Sequence, residues 1–105
     1  MKQLDLNAII PTAKLVEYLL IPLKKDDKSK FLARAGYTLE NWQQLADDLR
    51  GQLLILPALP TVLTPYGQKY IIVGELTGPN RVILTVRTIW IINNDETRFI
   101  TLFPA

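Results

Sequence analysis

Three prolines at positions 57, 60 and 65 divide the sequence into two halves with different periodicities. Before them, apolar residues recur every three to four positions, which is the spacing of one helical face. After them, apolar and polar residues alternate in runs separated by turn residues, as in β-strands. Proline interrupts helices and is confined to sheet edges, so residues 53–56 and 62–63 can form only short or edge strands.

The first half predicts two or three helices. Residues 13–20 form the first, and a second carries Phe31 and Leu32 after a cap at Asp27 or Ser29. Gly36 is expected to end the second helix, because glycine is favoured just beyond a helix C-terminus.

The start of the third helix is the clearest local signal in the chain. Thr38 is a favourable N-cap, and Tyr37 and Trp42 occupy hydrophobic-staple positions around it. The apolar stripe of this helix runs to Leu49, and Gly51 is expected to end it.

The second half predicts an antiparallel meander with strands at residues 69–76, 82–92 and 98–103 and turns at 77–80 and 93–96. The expected fold class is α+β, with two or three N-terminal helices packed on one face of a C-terminal antiparallel meander of three to four strands. Residues 1–105 are expected to form one domain.

Alternation along the strands assigns each side chain to a face. A four-residue turn at 77–80 would pair Leu76 with Arg81 and Tyr70 with Arg87. The face toward the helices then carries Ile71, Val73, Val82, Leu84, Val86, Trp90 and Phe99. The opposite face carries Tyr70, Thr85, Arg87 and the predicted interaction surface, Ile72, Ile83, Ile89, Ile91 and Ile100. That face is too apolar to be left to solvent, so we expect residues 53–63, a second subunit or another protein to cover it.

Histidine and cysteine are both absent from the sequence. Their absence removes the usual general base at neutral pH, the commonest metal ligands and every thiolate nucleophile. We therefore expect no metal and no cofactor. The formal net charge of +2 is too small to indicate a nucleic-acid partner by itself.

Two groups of residues are candidate sites for a phosphate backbone. Lys69, Tyr70, Arg87 and Tyr66, with Arg98, could gather on the sheet, where fixed cations would stabilise charge on a phosphodiester. The simpler interpretation is cross-strand packing of tyrosine against arginine. The second group concentrates positive charge around the second helix and comprises Lys24, Lys25, Lys28, Lys30 and Arg34. It could bind a nucleic acid or an acidic protein, or it could simply be a solvated surface.

Thr88 and Thr101 are expected to lie opposite each other near the core, bonded to each other or to backbone rather than acting in catalysis.

Several short strings carry a resemblance to a known family: AIIP (8–11), KL (14–15), YLL (18–20), KF (30–31), GY (36–37), YG (66–67), KY (69–70), GELTGPN (74–80) and VRTIW (86–90). Together they resemble an uncharacterised bacterial domain family, found as small proteins and at the C-termini of toxin-like proteins. The resemblance covers nearly the whole chain and implies a fold rather than a reaction.

The predicted order of helices before an antiparallel meander is also similar to that of the barnase, EndoU, colicin and RelE ribonuclease toxins. That similarity implies a metal-independent ribonuclease in which Arg87 clamps phosphate, Lys69 stabilises charge, and Tyr70 or Tyr66 carries a proton or stacks on a base. The lack of histidine and the many isoleucines on the expected site face favour an inactive or purely binding version.

The sequence thus predicts a small protein-interaction domain, within a toxin and antitoxin context, that binds a partner or a second copy through its outer sheet face. A ribonuclease and a non-catalytic RNA-binding accessory protein are the alternatives. No apolar stretch is long enough to span a bilayer and no secretory signal is evident, so a cytoplasmic location is expected.

Overall fold

The computed structural model describes residues 1–105 and contains three helical segments followed by a four-stranded antiparallel sheet. The first helix, α1, starts as an α-helical turn at Thr12–Lys14 and continues as a π-helix over Leu15–Leu19. The second, α2, spans Ser29–Ala33. The third, α3, comprises a 3₁₀ turn at Leu39–Asn41, an α-helix at Trp42–Asp48 and a π-helix at Leu49–Leu53.

The sheet follows chain order, with β1 at Leu59–Thr64, β2 at Gly67–Thr77, β3 at Ile83–Asn93 and β4 at Glu96–Pro104. All three neighbouring pairs are antiparallel. The predicted α+β fold, with helices on one face of a C-terminal meander, is confirmed. The edge strand predicted near residues 62–63 is β1.

The helical half agrees with the sequence prediction at the start of α3. It differs at the cap of α2, which is Lys28 rather than Asp27 or Ser29, and at the end of α3. The N–H of Thr38 donates a 2.8 Å hydrogen bond to Oδ1 of Asn41, which supports the predicted start of α3. Gly36 adopts φ 90° after α2, as expected for a glycine that ends a helix. The predicted stop at Gly51 was wrong, because α3 continues to Leu53 and thereby buries Leu49 and Leu53 completely.

The face assignment of β3 was correct. Leu84, Val86, Thr88 and Trp90 point toward the helices and are buried. We call this side of the sheet the inner face, and the opposite side the outer face.

The face assignment of β2 was wrong, because the turn after it is longer than predicted. Thr77 pairs with Ile83, and the connection comprises residues 78–82 rather than four residues. The register is therefore shifted by three, and an odd shift moves every side chain to the other face. Ile72 belongs to the buried inner face, whereas Ile71 and Val73 belong to the outer face. Tyr70 pairs with Trp90 rather than with Arg87.

The core between the helices and the inner face is built around Trp90. Its ring packs edge to face on Phe99, with the centroids 5.2 Å apart. Its Nε1 donates a 2.8 Å hydrogen bond to Oγ1 of Thr88, which in turn donates to the carbonyl of Ile72 at 3.0 Å. Thr88 pairs with Leu102 and not with Thr101, so the predicted threonine pair was wrong.

The first nine residues join both edges of the sheet. Lys2 exchanges two backbone hydrogen bonds with Ala58, just before β1, and Ile9 exchanges two with Thr97 and Phe99 of β4. Between these points, Leu4 and Ala8 are buried in the core. We refer to residues 2–9 as the N-terminal strap.

Candidate functional site

The four residues of the predicted phosphate site lie in three different places. Lys69 and Arg87 are both on the outer face, but Lys69 pairs with Ile91 and Arg87 with Val73. This separation of four residue pairs places them about 13 Å apart along the strands. Tyr70 is on the inner face, and Tyr66 is exposed in the turn between β1 and β2. The four side chains therefore do not converge on one site, although Tyr66 lies beside Ile91, the partner of Lys69.

The predicted interaction surface is largely on the outer face. Ile83, Ile89 and Ile91 lie there on β3, and Ile100 lies half-buried at a bulge of β4. Ile72 does not belong to it, because its side chain is fully buried in the core.

Residues of β1 and β2 that the sequence placed elsewhere complete this outer face. Val73 and Leu59 are 55% and 47% exposed, and Ile83 is 56% exposed. Leu59 pairs with Ile71, which pairs with Ile89, so three adjacent strands contribute one apolar row. Beside it lies a concavity of about 300 Å³ lined by Met1, Leu56, Pro57, Leu59, Ile71 and Val73. We call the exposed apolar residues of β1, β2 and β3 the outer apolar patch.

Residues 53–63, one of the covers that the sequence suggested, border this patch at Leu56 and Pro57 but leave Val73 exposed. Leu53 and Leu56 contact the sheet at Gly74, whose neighbours Ile72 and Leu76 define the inner face. A Cβ at Gly74 would lie 2.4 Å from Leu56, so the missing side chain lets this segment approach the inner face closely. The rest of the segment extends the sheet edgewise as β1.

Cations lie at the β4 margin of the outer face. Phe103 pairs with Arg87 across the strands, and the guanidinium of Arg87 lies 5.5 Å from the centre of its ring. The ammonium of Lys28, from the loop before α2, lies 4.2 Å from the same ring. One aromatic side chain therefore contacts two cations, which is a favourable electrostatic arrangement for its π-system.

Among the basic residues around α2, Lys28 alone is buried. Lys24, Lys25, Lys30 and Arg34 are exposed, which fits a solvated basic surface. Burial lowers the pKa of the Lys28 ammonium from its ordinary value, and nearby Asp26 partly offsets this shift. No feature of the local sequence distinguishes Lys28 from its neighbours, because its hydrogen-bond partner is Thr101, 73 residues away.

The buried Tyr37 holds the helices to the end of β2. Its hydroxyl donates to Oδ2 of Asp48 at 2.6 Å and lies 3.2 Å from the carbonyl of Thr77. Burial and then the Asp48 carboxylate raise the pKa of Tyr37 far above its ordinary value. The phenol is therefore locked in its protonated form, which suits a structural link rather than proton transfer.

No His, Cys, Asp or Glu side chains are grouped in a way that would hold a metal ion. No helix combines the length and apolar character needed to cross a lipid bilayer.

Comparison with known proteins gives one result. Searches of curated proteins and of solved structures found no match. A family model described as a domain of unknown function, DUF6883, matches residues 3–105. The match spans all three helices and all four strands, and the chain therefore belongs to the DUF6883 family.

Proposed function

We propose that this protein is an interaction domain that binds another polypeptide through the outer apolar patch. The observation that carries the proposal is the exposure of Val73 and Leu59 beside Ile71 and Ile89, on adjacent strands of a face that no helix covers. Apolar exposure of this kind, contiguous across strands, is typical of interaction surfaces.

The energetics favour a covered patch. Removing apolar surface from water contributes about 25 cal/mol per Å² to the free energy of binding. A partner that covers the row from Leu59 to Ile89 would therefore form a favourable complex without any rearrangement of this fold. Charged residues surround the row, with Lys69 and Glu75 on β2 and Arg87 on β3. Such a polar rim around an apolar centre is the usual anatomy of a protein interface.

The composition of this face favours a protein over RNA. Lys69 and Arg98 flank Ile91 at one end of this face, where Arg98 is paired with Glu96, and Arg87 lies four residue pairs from Lys69 along the strands. Proteins that bind single-stranded RNA use a continuous positive groove with aromatic rings that stack on the bases. The ring of Phe103 already contacts Arg87 and Lys28, and Tyr66 lies beside Ile91 and Arg98, at the other end of this face from Phe103. A toxin and antitoxin pair is one biological setting that would supply a protein partner.

A comparison of three proteins tests this proposal in cell extract from the source organism. Val73→Lys places a charge in the centre of the patch, while Leu39→Lys, at a position 45% exposed on α3, is the matched control elsewhere. We expect wild type and Leu39→Lys to retain the same partner in affinity purification, and Val73→Lys to lose it. Retention of the same proteins by all three would contradict the proposal.

Light scattering separates a different partner from self-association. A second copy on the patch would give a concentration-dependent dimer in wild type and Leu39→Lys and a monomer in Val73→Lys. Cleavage of RNA by wild type, abolished in Arg87→Ala with an unchanged melting temperature, would instead support the ribonuclease alternative. Binding of RNA without cleavage, with a steep salt dependence, would support the accessory-protein alternative.

A further inference from the structure

A second feature, separate from the apolar patch, is a cleft between the helical half and β4. Its volume is about 320 Å³. Lys14 and Tyr18 of α1 line one side, and Ile100, Thr101 and Phe103 of β4 line the other. The loop before α2 contributes Asp26 and Lys28.

The side chain of Lys28 lies in this cleft, and its ammonium has no carboxylate partner. The residue is only 8% exposed. Its Nζ donates one hydrogen bond, to Oγ1 of Thr101 at 3.3 Å. The only ion pair in the structure joins Arg98 to Glu96. An ammonium has three donors, so two of those of Lys28 have no protein acceptor.

The carboxylates nearest in sequence do not neutralise Lys28. Oδ1 of Asp27 accepts hydrogen bonds from the N–H and the hydroxyl of Ser29, at 3.0 and 2.7 Å, and these bonds lower its pKa. Asp26 adopts a left-handed φ of 54° and lines the cleft without forming an ion pair with Lys28.

Aromatic rings stabilise the cation only in part. Nζ of Lys28 lies 4.2 Å from the centre of the Phe103 ring and 5.8 Å from that of Tyr18. Such contacts are weaker than a buried ion pair, and an ammonium removed from water carries a large desolvation cost. An anion in the cleft would offset this cost and occupy the free donors.

We propose that this cleft binds a small-molecule carboxylate with a short apolar body. Lys14 and Lys28 outweigh Asp26 by one positive charge, which matches a single negative charge on the ligand. Ile100 and the rings of Tyr18 and Phe103 provide apolar walls for the rest of the molecule.

The same lining disfavours a phosphate. Asp26 would repel a second negative charge, and the guanidinium of Arg87, which would suit bidentate phosphate binding, contacts Phe103 but does not line the cleft.

Titrations of the full chain followed by ¹H–¹⁵N NMR test the proposal with benzoate as the probe. Benzamide is its neutral counterpart, and inorganic phosphate is the competing anion. We expect benzoate to produce saturable shifts at the amides of Lys28, Thr101 and Phe103, with benzamide and phosphate producing much weaker ones. Equal responses to benzoate and benzamide, or no saturable response to benzoate, would overturn the proposal.

Two lysine variants test whether Lys28 supplies the positive charge that binds benzoate. Lys28→Met keeps most of the apolar length of the side chain, and we expect it to fold and to weaken benzoate binding about tenfold or more. Lys30→Met removes an exposed cation two residues away and is expected to bind benzoate like wild type. Unchanged binding by a folded Lys28→Met would refute the assignment, as would stronger binding of phosphate than of benzoate. Because neither variant alters the outer apolar patch, these results are independent of the partner-binding experiment.

Discussion

The two faces of β2 and β3 carry similar side chains but have opposite environments. On the inner face, Ile72 and Leu84 are buried against helices, and the one buried polar residue, Thr88, is fully hydrogen-bonded. On the outer face, Val73 and Ile83 are more than half exposed beside Arg87. Packing against the helices therefore explains why the inner face is apolar, but it does not explain why the outer face is. The apolar residues of the outer face call for another explanation, which the proposed partner would supply.

The largest expected effect contrasts neighbouring residues on the two faces. Ile72→Ala removes fully buried atoms and should lower the free energy of unfolding by about 2–5 kcal/mol. Val73→Ala, on the exposed face, should lower it by less than about 0.5 kcal/mol. Urea denaturation of the two variants measures the difference. Comparable losses would mean that the outer face is covered within the protein itself.

A second contrast concerns two threonines of β3. Thr88→Val leaves the buried Nε1 of Trp90 without its acceptor and should cost about 1–3 kcal/mol. Thr85→Val, at an exposed position of the same strand, should change stability by less than about 0.5 kcal/mol. The free energies of unfolding in urea again provide the measurement. A stable Thr88→Val variant would show that Trp90 finds another acceptor.

The third prediction concerns the buried cation. Burial lowers the pKa of Lys28 below 10.5, so the folded state disfavours its charged form, and Lys28→Met should raise the free energy of unfolding at pH 7. The cost in wild type is fully present below the folded pKa and declines as the pH rises through it toward 10.5. The gain from methionine should shrink over the same window. The other charged or ionisable residues that line the cleft, Lys14, Tyr18 and Asp26, are the same in both proteins. A loss of stability in Lys28→Met at pH 7 would show that the cation is well compensated by the Thr101 hydroxyl and the aromatic rings.

The smallest expected effect is on the outer face. Ile83→Lys, at a position 56% exposed, should change the free energy of unfolding by less than about 0.5 kcal/mol. Thermal denaturation of the isolated protein measures it. A large loss would indicate that the patch is already buried by self-association.

The parts of the fold that the sequence predicted are those set by local chemistry. Thr38 starts α3 through its own neighbours, and residues 93–96 form a tight turn in which Asn94 and Asp95 both adopt positive φ. The alternation of β3 also assigned its faces correctly, because it needs no partner strand.

The register of β2 could not be predicted because contacts with the helical half shape the turn after it. A Cβ at Gly78 would lie 2.0 Å from the carbonyl oxygen of Ala35, so the backbone there packs directly on the end of α2. Nδ2 of Asn80 donates to the carbonyl of Arg34, and Arg81 adopts φ 71° to close the longer loop. None of these contacts is encoded in the local pattern TGPN. The cleft was missed for the same reason, since Lys28 and Thr101 meet only in the folded chain.

The N-terminal strap makes the two sheet margins depend on a single segment. Lys2 occupies backbone groups beside β1 and Ile9 occupies those of β4, so a change that releases the strap would uncover hydrogen-bonding groups at both ends of the sheet together. Unpaired strand edges are templates for intermolecular pairing. Loosening of these few residues would therefore lower solubility more than their small share of the chain implies. A fusion or label attached at Met1 is best joined through a flexible linker.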